Sequence, residues 1–219
     1  MSAVLRTDPT FTNCGLPGVE DIPYGIHMCH FYRARGDLVE ALVPFFIAGL
    51  LNNERCIWIT AEPLLAADAK LELRNAGLDV EAAIRCGALS VRDYSEWYTA
   101  AEGLTSRQVA ALWLGEERRA LAEGYAGLRI TGNASFVTPE TWPDFMDYEE
   151  VVHKAFYGRR IVSLCSYHLQ RCGPAHVRDV VRRHSCALDR PDEGWQIVTG
   201  YGSVEVEAAI PHLHAVHTS

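Results

Sequence analysis

The chain reads as a three-layer α/β fold in which a mostly parallel sheet carries helices on both faces. Short apolar runs alternate with amphipathic stretches along most of its length. Several of the runs lack a polar face, as strands covered on both sides require. The connections between runs are long enough for the crossovers that parallel neighbours need. With 219 residues, 48% hydrophobic and 22% charged, the chain can bury one sizeable core and has too few charges for intrinsic disorder.

The segment Thr7 to Tyr24 contains Pro9, Gly15, Pro17, Gly18 and Pro23 without periodicity and is expected to be a loop-like arm draped over the body. Ile26 to Tyr32 reads as a buried strand, Arg33 to Gly36 as a turn, and Asp37 as the N-cap of a helix running to about Asn52. In that helix Leu38, Leu42, Phe45, Phe46 and Leu50 make one wide apolar face. Arg55 to Thr60 is the second strand, and Pro63 to Asn75 a helix that ends near Gly77. Leu89 to Asp93 is the third strand. Ser106 to Glu123 is an amphipathic helix with Val109, Leu112, Trp113 and Leu121 inward, and Leu128 to Thr131 a strand.

Thr138 and Pro139 are expected to open a helix that runs to about Tyr157, and Ile161 to Tyr167 is a nearly all-apolar strand. Ala175 to His184 adds a helix. Gln196 to Val206, with Gly200 and Gly202 at its bend, reads as a terminal hairpin or a pair of edge strands. The expected organisation is an arm over residues 1–24, one domain over 25–207 and a tail over 208–219. The alternating His212, His214 and His217 of that tail carry no functional assignment.

Charge and composition exclude several roles. A net charge of -8, with basic residues only in isolated pairs such as Arg118-Arg119, Arg159-Arg160 and Arg182-Arg183, gives no electrostatic support for direct nucleic-acid binding. The longest apolar stretch, Leu38 to Leu51, is broken by Glu40 and Pro44 and is too short to cross a bilayer. No secretory pattern opens the sequence, and seven cysteines without a CxxC pair point to reduced thiols, so the expected location is cytoplasmic.

In an open α/β sheet the binding crevice lies beyond the carboxyl ends of the strands. After the first strand, Tyr32-Arg33-Ala34-Arg35-Gly36-Asp37 has one glycine, no lysine and an aspartate where a phosphate would sit. Arg33 and Arg35 compensate only in part, and the Ser/Thr that holds Mg²⁺ is missing, so nucleotide hydrolysis is not expected. Ser135 follows a strand but lacks a Gly-x-Ser-x-Gly elbow, which argues against a hydrolase.

Three stretches carry a family likeness: Gly25-Ile26-His27-Met28-Cys29-His30-Phe31-Tyr32; Leu42-Val43-Pro44-Phe45-Phe46 through Gly49-Leu50 with Asn53-Glu54 before Cys56-Ile57-Trp58; and Leu164-Cys165-Ser166-Tyr167. In order and spacing they resemble the MEDS domain, the sensory module of methanogen and methylotroph regulators of the DcmR type, from about Gly25 to Trp195. The resemblance implies a degenerate RecA/KaiC-like sheet without a phosphate loop, serving as a sensor of a small, apolar or one-carbon-related ligand rather than as an enzyme. Gly132-Asn133 stands where such domains carry Gly-Glu, which weakens any carboxylate role there. Relatives are often fused to a DNA-binding or kinase module; the expectation here is signalling through a separate regulator or kinase, with a homodimer left open.

His27, Cys29 and Tyr32 on the first strand, with Cys165 and Tyr167 on a later one, form the candidate constellation. His27 and Cys29 share a face by strand alternation, as do Cys165 and Tyr167. If the two strands are neighbours, His27, Cys29 and Cys165 could hold Zn²⁺ or haem iron, or form a redox pair. The alternative is inert packing of buried thiols. His30 points to the other face and reads as a satisfied interior histidine. Of the acidic group Asp147, Glu149 and Glu150, one carboxylate could face the crevice and hold a polar ligand or orient a histidine. The aromatic residues near strand ends, Phe31, Tyr32, Trp58, Trp97, Trp113, Phe136, Trp142 and Tyr167, could line an apolar pocket, with Trp58 and Trp113 read as core. The candidate ligand-binding residues are therefore His27, Cys29, Tyr32, Arg33, Arg35, Asn133, Glu149, Cys165 and Tyr167. Three readings stand: a small-ligand sensor, a Cys/His metal, haem or redox sensor, and a degenerate nucleotide-binding scaffold acting by protein contact.

Overall fold

The computed structural model describes residues 10–100, 103–190 and 194–199. Its elements are β1 (Phe11–Asn13), β2 (Asp21–Pro23), β3 (His27–Tyr32), α1 (Arg35–Leu51), β4 (Glu54–Thr60), α2 (Ala66–Asn75), α3 (Val80–Arg85), β5 (Leu89–Asp93), α4 (Tyr94–Ala100) and α5 (Ser106–Ala122). They continue with β6 (Gly127–Asn133), α6 (Trp142–Phe156), β7 (Ile161–His168), α7 (Pro174–Arg182), β8 (Cys186–Asp189) and β9 (Gln196–Val198).

Seven strands form one sheet in the order β5-β4-β6-β7-β3-β8-β9. All pairs are parallel except β8 with β9. The α/β class and the mostly parallel sheet agree with the sequence. Buried residues of α1 and α2 pack with Met28, Cys56, Trp58, Val162 and Leu164 on one face. Residues of α4, α5 and α6 pack with Ile57, Ile59, Leu128, Ile130 and Ile161 on the other. The change of face falls in the β5–β6 crossover, and the central strands β3, β4 and β7 present apolar side chains both ways.

The segment expected to be a loop is partly ordered as a two-stranded antiparallel sheet, Phe11 opposite Pro23 and Asn13 opposite Asp21. Strands of three residues are too short for alternation to register in the sequence. Cys14, Leu16 and Ile22 are buried against α1. Gly15, at φ +87°, comes so near that a Cβ there would lie 2.4 Å from the Pro44 carbonyl oxygen. Because the hairpin packs beside α1 over the same face of the sheet, Leu38, Ala41, Leu42, Val43, Phe45, Phe46, Ala48 and Gly49 are all buried. The helix is thus apolar on more than the single face expected.

Asp37 is not the N-cap. Ala34 is, and Asp37 sits in the first turn with its carboxylate accepting from the Arg33 and Ala34 amides at 2.7 and 3.1 Å. Likewise α2 begins at Ala66, after the cis Glu62-Pro63 bond, and its first amide donates to Asp93 at 3.1 Å. The stripe of α5 runs through Val109, Ala110, Trp113, Glu117 and Ala120, leaving Leu112 and Leu121 exposed. Glu117 belongs on that stripe because Arg159 and the Arg160 amide hold its carboxylate. The next helix begins at Trp142 rather than Thr138, and α7 ends at Arg182. The short elements α3, α4 and β8 have no counterpart in the sequence reading; at four to seven residues they offer too few turns or alternations. Of the terminal hairpin, Gln196–Val198 pairs with β8, while residues 200–206 and the His212, His214 and His217 tail lie outside the described residues.

Beneath the hairpin, Arg129 of β6 and Glu54 of β4 form a fully buried ion pair with Nε to Oε2 at 2.5 Å. The guanidinium also donates to the carbonyls of Asn13, Cys14 and Phe45 at 2.8, 3.2 and 2.8 Å. Glu54 accepts from Thr12 and Tyr24 hydroxyls at 2.6 and 2.8 Å. Helix α1 makes room with Gly49, where a Cβ would stand 2.6 Å from Arg129 Cδ. Removing one partner leaves the other charge buried and unpaired, so Arg129→Met is expected to lower the unfolding free energy by about 3–5 kcal/mol in urea denaturation. Adding Glu54→Leu should restore part of that loss.

Candidate functional site

Parallel pairing of β3 with β7 sets Cys29 opposite Cys165 and His27 opposite Ser163. Their odd-numbered side chains therefore share one face, under α6 and α7. On that face the His27 Nε2 lies 3.3 Å from Cys165 Sγ and 3.2 Å from Glu149 Oε2. His184, just past α7, brings its Nε2 to 3.6 Å from the same carboxylate oxygen. His27, Glu149 and His184 are fully or almost fully enclosed and Cys165 is half-buried; the His27 and His184 rings lie tilted against each other with centroids 4.0 Å apart.

Helix periodicity places Glu149 there. It falls three residues before Val152 and seven before Phe156, on the buried stripe of α6 with Met146. Its neighbours differ: Glu150 pairs with Lys154 at 2.7 Å on the surface, and Asp147 is exposed. A carboxylate on an apolar stripe was the readable signal for Glu149. His184 had none, because it follows a helix C-terminus and enters the cluster only once β8 is laid beside β3.

Burial drives each group toward its neutral form. It lowers His27 to about 3, helped by His153, and lowers His184 to about 3, helped by His27 and opposed by Glu149. It raises Glu149 against the pull of His184. Burial, with Glu149 beside it, also lifts the Cys165 thiol well above its ordinary range.

Cys29 and Tyr32 do not join this group. The Cys29 thiol is turned toward the Cys186 carbonyl at 3.6 Å, so among the expected metal ligands Glu149 and His184 stand where Cys29 was placed. Tyr32, at odd separation from His27 and Cys29, projects from the opposite face. There its hydroxyl donates to Asn133 Oδ1 at 3.2 Å. Asn133 also accepts from the Ser135 amide at 2.9 Å, fixing the turn after β6. Arg33 is exposed, and Arg35 pairs with Glu72 at 2.7 Å. The Arg33 and Ala34 amides just before α1 already serve the Asp37 carboxylate, which sets a negative charge where a phosphate loop would act.

Tyr167, 1% exposed, lies between two cavities. A small one of about 30 Å³, room for a water molecule, reaches Glu149, Ser163 and Cys165. A larger one of about 400 Å³ opens beyond the carboxyl ends of β6 and β7 and is lined by Phe136, Trp142, Tyr167, His168, Arg171 and His176, among others. In its wall Trp142 stacks on His176 at 4.2 Å, and Arg171 reaches the Ser135 carbonyl. Trp142 Nε1, His168 Nδ1 and His176 Nδ1 are buried without a hydrogen-bond partner. Trp58 packs in the core, stacked on Phe46 at 4.7 Å. Trp113, also buried, stacks on Trp97 at 3.9 Å and borders the small cavity.

Residues 26–185 match the family described as MEDS, the MEthanogen/methylotroph, DcmR Sensory domain. The structure of a KaiC-like protein from the hyperthermophilic archaeon Pyrococcus horikoshii OT3 superposes with a TM-score of 0.55 at 13% identity, covering 85% of each chain, a likeness of fold. No curated protein matches in sequence. Among the described residues no helix is long and apolar enough to cross a membrane, and all seven cysteines are free.

His30, on the face opposite His27, is buried at 5.3 Å from the Trp195 ring with its Nδ1 unpaired, so it is not the satisfied histidine expected. Burial lowers it to about 4 although Asp37 and Asp189 both pull upward. The unfolded chain therefore takes up this proton first, and stability is lost as pH falls from about 6.5 toward 4, by about 1.4 kcal/mol per unit. Urea denaturation at pH 7 and pH 5 should show a steeper loss for the native sequence than for His30→Leu, the other histidines being common to both.

Proposed function

The chain belongs to the MEDS family, and from that premise we propose that it is a non-catalytic sensor that binds a small ligand in the cavity beyond β6 and β7. The observation that carries this reading is the cavity itself. Its volume of about 400 Å³ falls in the range of small-molecule sites, with aromatic walls and a few polar groups. Arg171 and the imidazoles of His168 and His176 put polar groups in a wall that is otherwise largely aromatic, which a ligand with one polar end can use. A small apolar body with one polar end, or a one-carbon compound, fits this wall.

The non-catalytic reading is supported by the start of α1, where the Asp37 carboxylate takes up the Arg33 and Ala34 amides and sets a negative charge where a phosphate would sit. Signalling then follows from the cavity's construction. Its walls come from four separate pieces: the turn after β6, the start of α6, the end of β7 with the turn after it, and the start of α7. A ligand that bridges them favours one arrangement of those pieces, which a partner regulator or kinase can read.

Titration with methanol, formaldehyde, methylamine and indole, followed by tryptophan fluorescence, tests the reading because Trp142 lines the site. Saturable quenching by at least one compound is expected. His176→Ala, which lines the same wall and leaves the Trp142 reporter in place, should weaken that binding about tenfold or more, a loss of about 1.4 kcal/mol, while the remote Cys29→Ser should leave it unchanged. Steady ATP hydrolysis by the purified protein would overturn the non-catalytic reading.

A further inference from the structure

We propose that His27, Glu149, Cys165 and His184 form a four-coordinate site for a divalent transition metal of the zinc class. The inference stands on the cluster and is independent of the small-ligand reading. One ligand atom from each residue lies within 4.8 Å of the other three. Around Zn²⁺, bonds of about 2.0–2.3 Å place tetrahedral N, O and S ligands about 3.3–3.6 Å apart. The separations of 3.2, 3.3 and 3.6 Å are those of ligands already gathered about one centre.

The orientation of His184 is the second observation. Its Nδ1 lies 2.7 Å from the Val180 carbonyl, which can only accept, so Nδ1 carries the hydrogen and the neutral ring turns its Nε2 lone pair inward. That lone pair faces Glu149 Oε2. His184 Nε2 is buried without a hydrogen-bond partner among the described residues, and the buried Glu149 carboxylate has only the Tyr167 hydroxyl beside it. When Glu149 is ionised the two are acceptors directed at each other, and a proton or a metal ion between them relieves that; the thiol and the second imidazole around them favour the metal. A backbone carbonyl that fixes the tautomer of a histidine is also the usual outer support of a metal ligand.

Charge balance agrees. A thiolate and a carboxylate with two neutral imidazoles carry two negative charges, so one M²⁺ makes the buried group neutral. On binding, the Cys165 S–H bond breaks, its proton leaves to solvent, and the sulfur electron pair forms the bond to the metal. Such a centre would tie together β3, α6, β7 and the end of α7. Tyr167, edge-on to His184 with centroids 5.7 Å apart, then stands between the metal and the larger cavity.

The test uses the whole chain, stripped with a chelator under reducing conditions and titrated with Co²⁺ and then Zn²⁺. One Co²⁺ per chain is expected, with a near-ultraviolet thiolate-to-cobalt band and the visible bands of a tetrahedral ion, all bleached by Zn²⁺. Cys165→Ser should lose the thiolate band and Cys29→Ser keep it. His184→Ala should weaken binding about a hundredfold or more, beyond the loss typical of an outer-shell change. Trp142→Ala should bind metal normally, which separates this proposal from the ligand cavity. If the folded native sequence binds no stoichiometric Co²⁺, or if the band depends on Cys29 and not on Cys165, the proposal falls. The native titration decides even where a variant fails to fold, and in that event a proton shared by His27 and Glu149 is what the cluster holds.

Discussion

The buried pair of Arg129 and Glu54 is the constraint around which the sheet is arranged. A guanidinium in the middle of a central strand is costly to desolvate, and only a full set of acceptors makes it tolerable. Those acceptors come from β4, from α1 and from the hairpin of β1 and β2. The hairpin is thereby bound into the core although it is short. The same demand explains a glycine in mid-helix at position 49, where alanine would otherwise be the better helix former. Closing this face of the sheet with hairpin and α1 leaves the other face as the place where polar groups can gather for another purpose.

That second gathering is of a different kind. Around Arg129 every hydrogen-bonding direction of the guanidinium has an acceptor, whereas around Glu149 the groups face one another with several atoms unpaired. The first arrangement is complete within the protein and reads as architecture. The second is incomplete, and incompleteness in a buried polar cluster is the physical mark of a site. Tyr167 joins it to the cavity at the strand ends, so a change at either place is felt by a shared side chain.

The closed start of α1 bears on how a fold like that of a KaiC-like protein is used in a sensory family. The helix N-terminus that could hold phosphate is occupied by an aspartate one turn inside the same helix. The larger cavity lies further along the strand ends, at β6 and β7, where aromatic side chains rather than backbone amides make the wall. The sheet continues to supply a crevice at its carboxyl edge, but with a lining suited to a small uncharged molecule.

The α/β class, the strands from β3 to β7 and most long helices were legible in the sequence, because two-residue and three-to-four-residue periodicities are local properties. His27 and Cys165 were legible as partners on the condition that their strands adjoin, and Glu149 as one carboxylate of three. What the sequence could not decide was which pieces lie side by side. His184 enters the cluster because β8 runs beside β3; Cys29 leaves it because its thiol has a carbonyl to turn to; Tyr32 faces away because its number differs from that of His27 by an odd count. The sequence by itself determined the kinds of element and the absence of a phosphate-loop motif. Only the tertiary structure decided the donor set and the cavity: the first joins His27 to residues more than a hundred positions away, the second joins segments between Ala134 and His176 that meet only when β6 and β7 pair, and strand order is set by packing of whole layers rather than by any local pattern.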